Sequence, residues 1–64
     1  MARTARKEKE VDHIRSDILR ATARAAARTG LDALTIRDIA KETGYTVGTL
    51  YTYFDGKDAI VQAL

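Results

Sequence analysis

The chain has no cysteine, which excludes a disulfide framework and a thiolate metal site and fits a reducing cytosol. Its one histidine, His13, stands on a polar helix start without a second His or Cys nearby, so neither a metal nor any other cofactor is expected. No apolar run is longer than Ala25-Ala26-Ala27, and nothing reads as a signal peptide or a membrane span. Strand-type alternation and internal repeats are missing as well. Asp38, Asp55 and Asp58 make no credible catalytic pair, and there is neither a nucleophile–base constellation nor a glycine-rich phosphate loop. An enzyme is not expected. At 64 residues the chain can form one small domain, burying only about 60% of its unfolded surface and therefore of marginal independent stability.

What is present is charge, unevenly placed, and helical periodicity. Residues 1–28 carry eight Lys or Arg against four acids, whereas residues 29–64 carry three against five. The basic character thus belongs to the N-terminal part, which makes a nucleic-acid partner plausible without compelling it. Residues 1–9 are polar and lack apolar period, and read as a flexible basic arm that can lie along phosphates or reach a minor groove. From Glu10 to Thr29 the residues Val11, Ile14, Ile18, Leu19, Ala25 and Ala26 recur at helical spacing, and Gly30 stops the run. Thr35-Ile36-Arg37-Asp38 matches a capping box, with Leu34 and Ile39 placed for a hydrophobic staple, so a second helix is expected over 36–43.

Residues 43–57 are the most informative stretch. Gly44 can end one helix in the left-handed conformation, and Thr46 can cap the next. The third helix, over 47–54, has Leu50 and Phe54 as its buried stripe and Tyr45 with Leu50 as its staple. Lys57 opens a fourth helix in which Ile60, Val61 and Leu64 are apolar. Two short helices joined across Thr43-Gly44-Tyr45 are a helix-turn-helix. Between Thr46 and Lys57 the hydroxyls of Thr49, Tyr51, Thr52 and Tyr53 are denser than a core needs. Tyr51 and Tyr53 diverge by about 200° around the helix, so at least one is exposed. Gly48 is a poor helix former, costing up to ~1 kcal/mol relative to Ala, and close approach of a partner's backbone is one reason to keep it.

Leu34-Thr35-Ile36-Arg37-Asp38-Ile39-Ala40, Thr43-Gly44, Val47-Gly48-Thr49-Leu50-Tyr51, Tyr53-Phe54 and Gly56-Lys57-Asp58 together resemble the DNA-binding domain of TetR-family transcriptional regulators, over about Ile18 to Leu64. The resemblance implies an all-α fold: a three-helix DNA-binding head with a helix-turn-helix, spanning 10–64, plus the start of a fourth helix. It implies a cytoplasmic, nucleoid-associated prokaryotic regulator, a repressor by preference, that binds double-stranded DNA. For the parent protein it implies a missing C-terminal domain, through which a homodimer forms on a palindromic operator, and room for a small-molecule effector. Four positions depart from the family's pattern. Ala25-Ala26 stands where a bulky apolar pair is usual, Tyr45 where a small aliphatic residue is, and Thr46 where serine is commonest. The Tyr45 ring offers a replacement for volume lost at Ala26.

The expected DNA-contact set is Thr35, Thr46, Val47, Gly48, Thr49, Tyr51, Thr52, Tyr53 and Lys57. Val47, Gly48 and Thr52 approach base edges. Thr35, Thr46, Thr49, Tyr51, Tyr53 and Lys57 grip the backbone, and Tyr51 can also offer its ring to a thymine methyl. Because helix 47–54 holds no Arg, Asn or Gln, the strong bidentate base contacts are missing. Arg20, Arg24 and Arg28 read as a solvated stripe, and Arg37 and Lys41 as surface charge. Two other classes of reading fit the same residues: a truncated helical protein-interaction module, and the DNA-targeting domain of a larger protein.

Overall fold

The computed structural model describes residues 2–64, with side chains from Asp12 onward. Its elements are α1 (Ala2–Thr29), α2 (Ile36–Thr43), α3 (Val47–Tyr53) and α4 (Lys57–Ala63), with no strand among the described residues. The fold is all-α, as expected. At 1.5 Å per residue the 28 residues of α1 rise about 42 Å, and α1 therefore sets the long axis of a molecule measuring 42 × 19 × 19 Å.

The short helices begin and end where local chemistry says they should. Thr35 accepts a hydrogen bond from the Asp38 backbone N–H (3.1 Å), while Asp38 Oδ2 accepts one from the Thr35 N–H (3.0 Å), so the capping box is complete. Gly44 stands at φ +83° and donates its N–H to the Ala40 carbonyl at 2.9 Å, which stops α2 in one residue. Thr46 caps α3 by accepting from the Thr49 N–H at 3.1 Å. The start of α1 differs from expectation: it lies at Ala2 rather than near Glu10. Ala, Arg, Lys and Glu are strong helix formers, and an apolar period is required to pack a helix, not to extend one. Arg3, Arg6 and Lys7 of the expected arm lie outside the described side chains.

The core gathers Ile18 and Ala25 of α1, Leu34 of the connecting loop, Ile39 and Ala40 of α2, Leu50, Phe54 and Ile60. Leu19 is only partly buried; Ile18 and Ala21 take the interior instead. The inward stripe is therefore Ile14, Ile18, Ala21 and Ala25, at four, three and four residues. Thr22 is fully buried as well, and it tolerates burial because its hydroxyl donates to the Ile18 carbonyl at 2.7 Å.

Two features of α1 were not foreseen. Arg24 and Arg28, expected to be solvated, both reach Glu42 at the end of α2, Arg24 through Nε at 3.3 Å and Arg28 through a charged hydrogen bond. Arg15 places its guanidinium 5.0 Å from the Phe54 ring centroid, a cation–π contact. Ala26 packs against the core, while the alanine at 25 leaves open space rather than a sealed void: a groove of about 230 Å³ lies between α1 and α2, lined by Ala25, Leu34, Lys41 and Glu42 among others. The Tyr45 ring does not address it. Its hydroxyl reaches Asp17, nine residues and about 14 Å of helix rise from Ala26.

The Arg28 hydrogen bond, aided by Arg24, holds the Glu42 carboxyl below its ordinary value, and the Thr35 N–H and hydroxyl do the same for Asp38. A carboxylate depressed in the folded state adds stability that is complete above its unfolded value, about 4.3 for Glu, and lost as pH falls through the lower folded value. Glu42→Gln is therefore expected to melt below wild type at neutral pH and level with it in strong acid. Circular-dichroism melts across pH check this. A gap that persists in acid would mean that Glu42 acts through packing rather than charge.

Candidate nucleic-acid interface

α2, the Thr43–Tyr45 turn and α3 form one helix-turn-helix, and three residues separate α3 from α4. Gly44 ends α2, and the Thr43 hydroxyl accepts the Tyr45 N–H at 3.0 Å, giving the turn a fixed shape. The staple residues Tyr45 and Leu50 are both drawn to the core, Leu50 completely. With Leu50 and Phe54 buried, the opposite side of α3 faces outward by helical geometry.

On that outward side stand Gly48, Tyr51 and Thr52, all exposed. Tyr51 is 52% exposed, whereas Tyr53 is half-buried and packs against the core, so the two tyrosines divide as their angular separation requires. Thr46 is exposed and Thr49 partly so, with their hydroxyl oxygens 2.9 Å apart. Thr52 donates its hydroxyl proton to the Gly48 carbonyl at 3.1 Å, which leaves its oxygen lone pairs free to accept. Thr35 is exposed at the start of α2. Val47 is half-buried and packs against the core, so only part of its side chain is open to a partner.

Gly48 is decisive because nothing inside the protein requires it. Its φ is not positive, and a Cβ built there would meet only Thr46 Oγ1, at an ordinary 3.8 Å. Alanine would fit and would favour the helix. The open face of Gly48 is thus available for close approach of another molecule's backbone.

Lys57 is half-buried at the first position of α4. Gly56 before it supplies no side-chain cap. The Tyr51 ring is 3.8 Å from where a Gly56 Cβ would be, so Tyr51 leans toward the start of α4. The surface there is a shallow depression formed by Asp55, Gly56, Lys57, Asp58 and Ala59. Asp55 and Asp58 flank the lysine, so its positive charge stands beside two carboxylates. His13 pairs with Asp17 at 3.6 Å rather than with a metal-binding set, and no group of three or more metal-ligating side chains occurs among the described residues. No described helix is long and apolar enough to cross a membrane.

Residues 18–64 match the family described as bacterial regulatory proteins, tetR family. The chain is 37% identical over 59 residues to the HTH-type transcriptional regulator TtgR of Pseudomonas putida, covering 92% of this chain and 28% of that protein. It is 40% identical over 50 residues to the HTH-type transcriptional repressor KstR2 of Rhodococcus jostii, covering 78% of this chain and 24% of that one. An uncharacterized HTH-type transcriptional regulator of Bacillus subtilis, YvdT, is 40% identical over 47 residues, 73% of this chain and 24% of its own length. The chain thus spans about a quarter of the length of these relatives. No solved structure matches it. The chain belongs to the tetR family of bacterial regulatory proteins, a family of DNA-binding transcriptional regulators and not of enzymes.

Proposed function

We propose that this chain is the DNA-reading head of a cytoplasmic, nucleoid-associated transcriptional regulator, with α3 set in the major groove of double-stranded DNA. The observation that carries the reading is Gly48, a glycine at the second position of α3 that the protein's own packing does not need. Val47, Gly48 and Thr52 approach base edges. Thr35, Thr46, Thr49, Tyr51, Tyr53 and Lys57 hold the backbone, using hydroxyls and one positive charge. Repression is the preferred mode of control, by likeness to a relative named as a repressor. In the parent protein, dimerisation, a palindromic operator and a small-molecule effector accompany this head.

One pair of substitutions tests it. Gly48→Ala removes a poor helix former, so the melting temperature is expected to rise, by up to ~1 kcal/mol of helix propensity, while DNA affinity falls. Opposite signs in stability and binding identify a residue kept for its partner. Lys57→Ala is expected to weaken binding similarly on all sequences and to reduce the salt slope by about one, whereas changes at Val47 alter relative affinity among sites. Unchanged affinity in Gly48→Ala, or an unchanged salt slope with altered sequence preference in Lys57→Ala, would refute these roles.

A further inference from the structure

Tyr45 ties the start of α3 to α1 in a way the DNA-contact residues do not explain. Its ring packs against the core, and its hydroxyl donates to Asp17 Oδ2 at 3.1 Å across 28 residues of sequence. The neighbouring residue Thr46 is the cap of α3. At the other end of α3, Phe54 lies under the Arg15 guanidinium. Arg15 and Asp17 therefore engage the two ends of a helix only seven residues long. So short a helix has little stability of its own, and its placement depends on what holds its ends. Its C-terminal end is also anchored by the burial of Leu50 and Phe54. Among the described residues its N-terminal end has one polar tether to α1, the phenol of Tyr45.

We propose that Asp17 and Tyr45 are a positioning pair, which holds the start of α3 in register for DNA without either residue touching DNA. The inference rests on the DNA-reading function proposed above. A tyrosine stands here where the family resemblance leads one to expect a small aliphatic residue, which could pack but could not reach a carboxylate. A hydroxyl-to-carboxylate bond is charge-assisted and stronger than a neutral one, and it fixes direction as well as distance. A phenol keeps its donor proton through the neutral range, and the bond to Asp17, followed by partial burial, raises the Tyr45 pKa above its ordinary value. His13 Nε2 lies 3.6 Å from the same carboxylate oxygen, on a side chain 78% exposed. The imidazole and the phenol approach the same oxygen, and only the phenol, at 3.1 Å, is within hydrogen-bond distance.

The test uses the 64-residue chain and one fixed duplex, with binding read by fluorescence anisotropy over a salt series. Tyr45→Phe keeps the ring and loses the bond. It is expected to weaken binding about three- to ten-fold with an unchanged salt slope, because no phosphate contact is lost. Asp17→Ala and Asp17→Asn remove the same charge, but only asparagine keeps a carbonyl acceptor, so Asn is expected to bind more tightly than Ala. In the Asp17→Ala background, Tyr45→Phe is expected to have no further effect. Equal binding by Tyr45→Phe and wild type would overturn the pairing. So would equal losses for Tyr45→Phe with and without Asp17, or equal binding by the Ala and Asn variants. A loss that merely tracks the folded fraction in parallel melts would overturn it too. Absence of salt-dependent DNA binding by the wild-type chain would instead bring down the DNA-reading function itself, and the pair with it.

Discussion

Leu50→Ala is expected to leave the chain largely unfolded at physiological temperature. Leu50 is fully buried, sits one turn into α3, and shares one cluster with Ile18, Leu34, Ile39, Phe54 and Ile60. Truncating a buried leucine to alanine costs about 2–5 kcal/mol, through lost burial and the cavity left behind. A 64-residue chain has a total stability of roughly 3–10 kcal/mol. The substitution therefore removes a large part of what holds the fold. For a domain of this size each kcal/mol is worth about 4–8 °C, so the melting temperature should fall by roughly 10 °C at least. Leu31→Ala is the matched control, since Leu31 is 39% exposed on the loop after α1 and should melt close to wild type. A Leu50→Ala melt within a few degrees of wild type would show that the core does not hinge on α3.

The second large effect concerns linkage of two heads. Joining two copies through an unrelated dimerisation domain is expected to raise affinity for a correctly spaced double half-site by ~100-fold or more. One head covers one half-site, and α3 has no Arg, Asn or Gln to make bidentate base contacts. Phosphate contacts then supply most of the affinity of the single chain, which should bind weakly, discriminate little among sequences and release steeply with salt. Discrimination rises on linkage, because only a correctly spaced pair of sites engages both heads. The expectation for the unlinked chain is a monomer in analytical ultracentrifugation. A stable dimer, or tight site-specific binding by the unlinked chain at physiological salt, would contradict the argument.

Much of the architecture is written in short-range chemistry. The Thr35 capping box, the Gly44 stop, the Thr46 cap and the Leu34–Ile39 and Tyr45–Leu50 staples each act within about five residues, and the bounds of α2 and α3 follow from them. The burial of Leu50 and Phe54, and the outward face they leave to Tyr51, follow from helical period alone. The outward face of α3, with Gly48, Tyr51 and Thr52 exposed, could therefore be read from the chain itself.

Other features needed the packed molecule. A period marks a helix face only to within a residue, so the choice of Ile18 over Leu19 depended on how α1 is rotated against α2. Propensity without pattern does not announce a boundary, and so α1 starts earlier than its apolar stripe does. Glu42 gave no sign in the sequence of being the partner of Arg24 and Arg28, 18 and 14 residues away. Nor did Asp17 reveal its bond to Tyr45, or Arg15 its place over Phe54. Each of these joins α1 to a later element, and such contacts are set by the crossing of whole helices, which no local spacing encodes. Local residue chemistry determined which segments become helices and which face of α3 is free; the packing of α1 against the rest decided how that face is held.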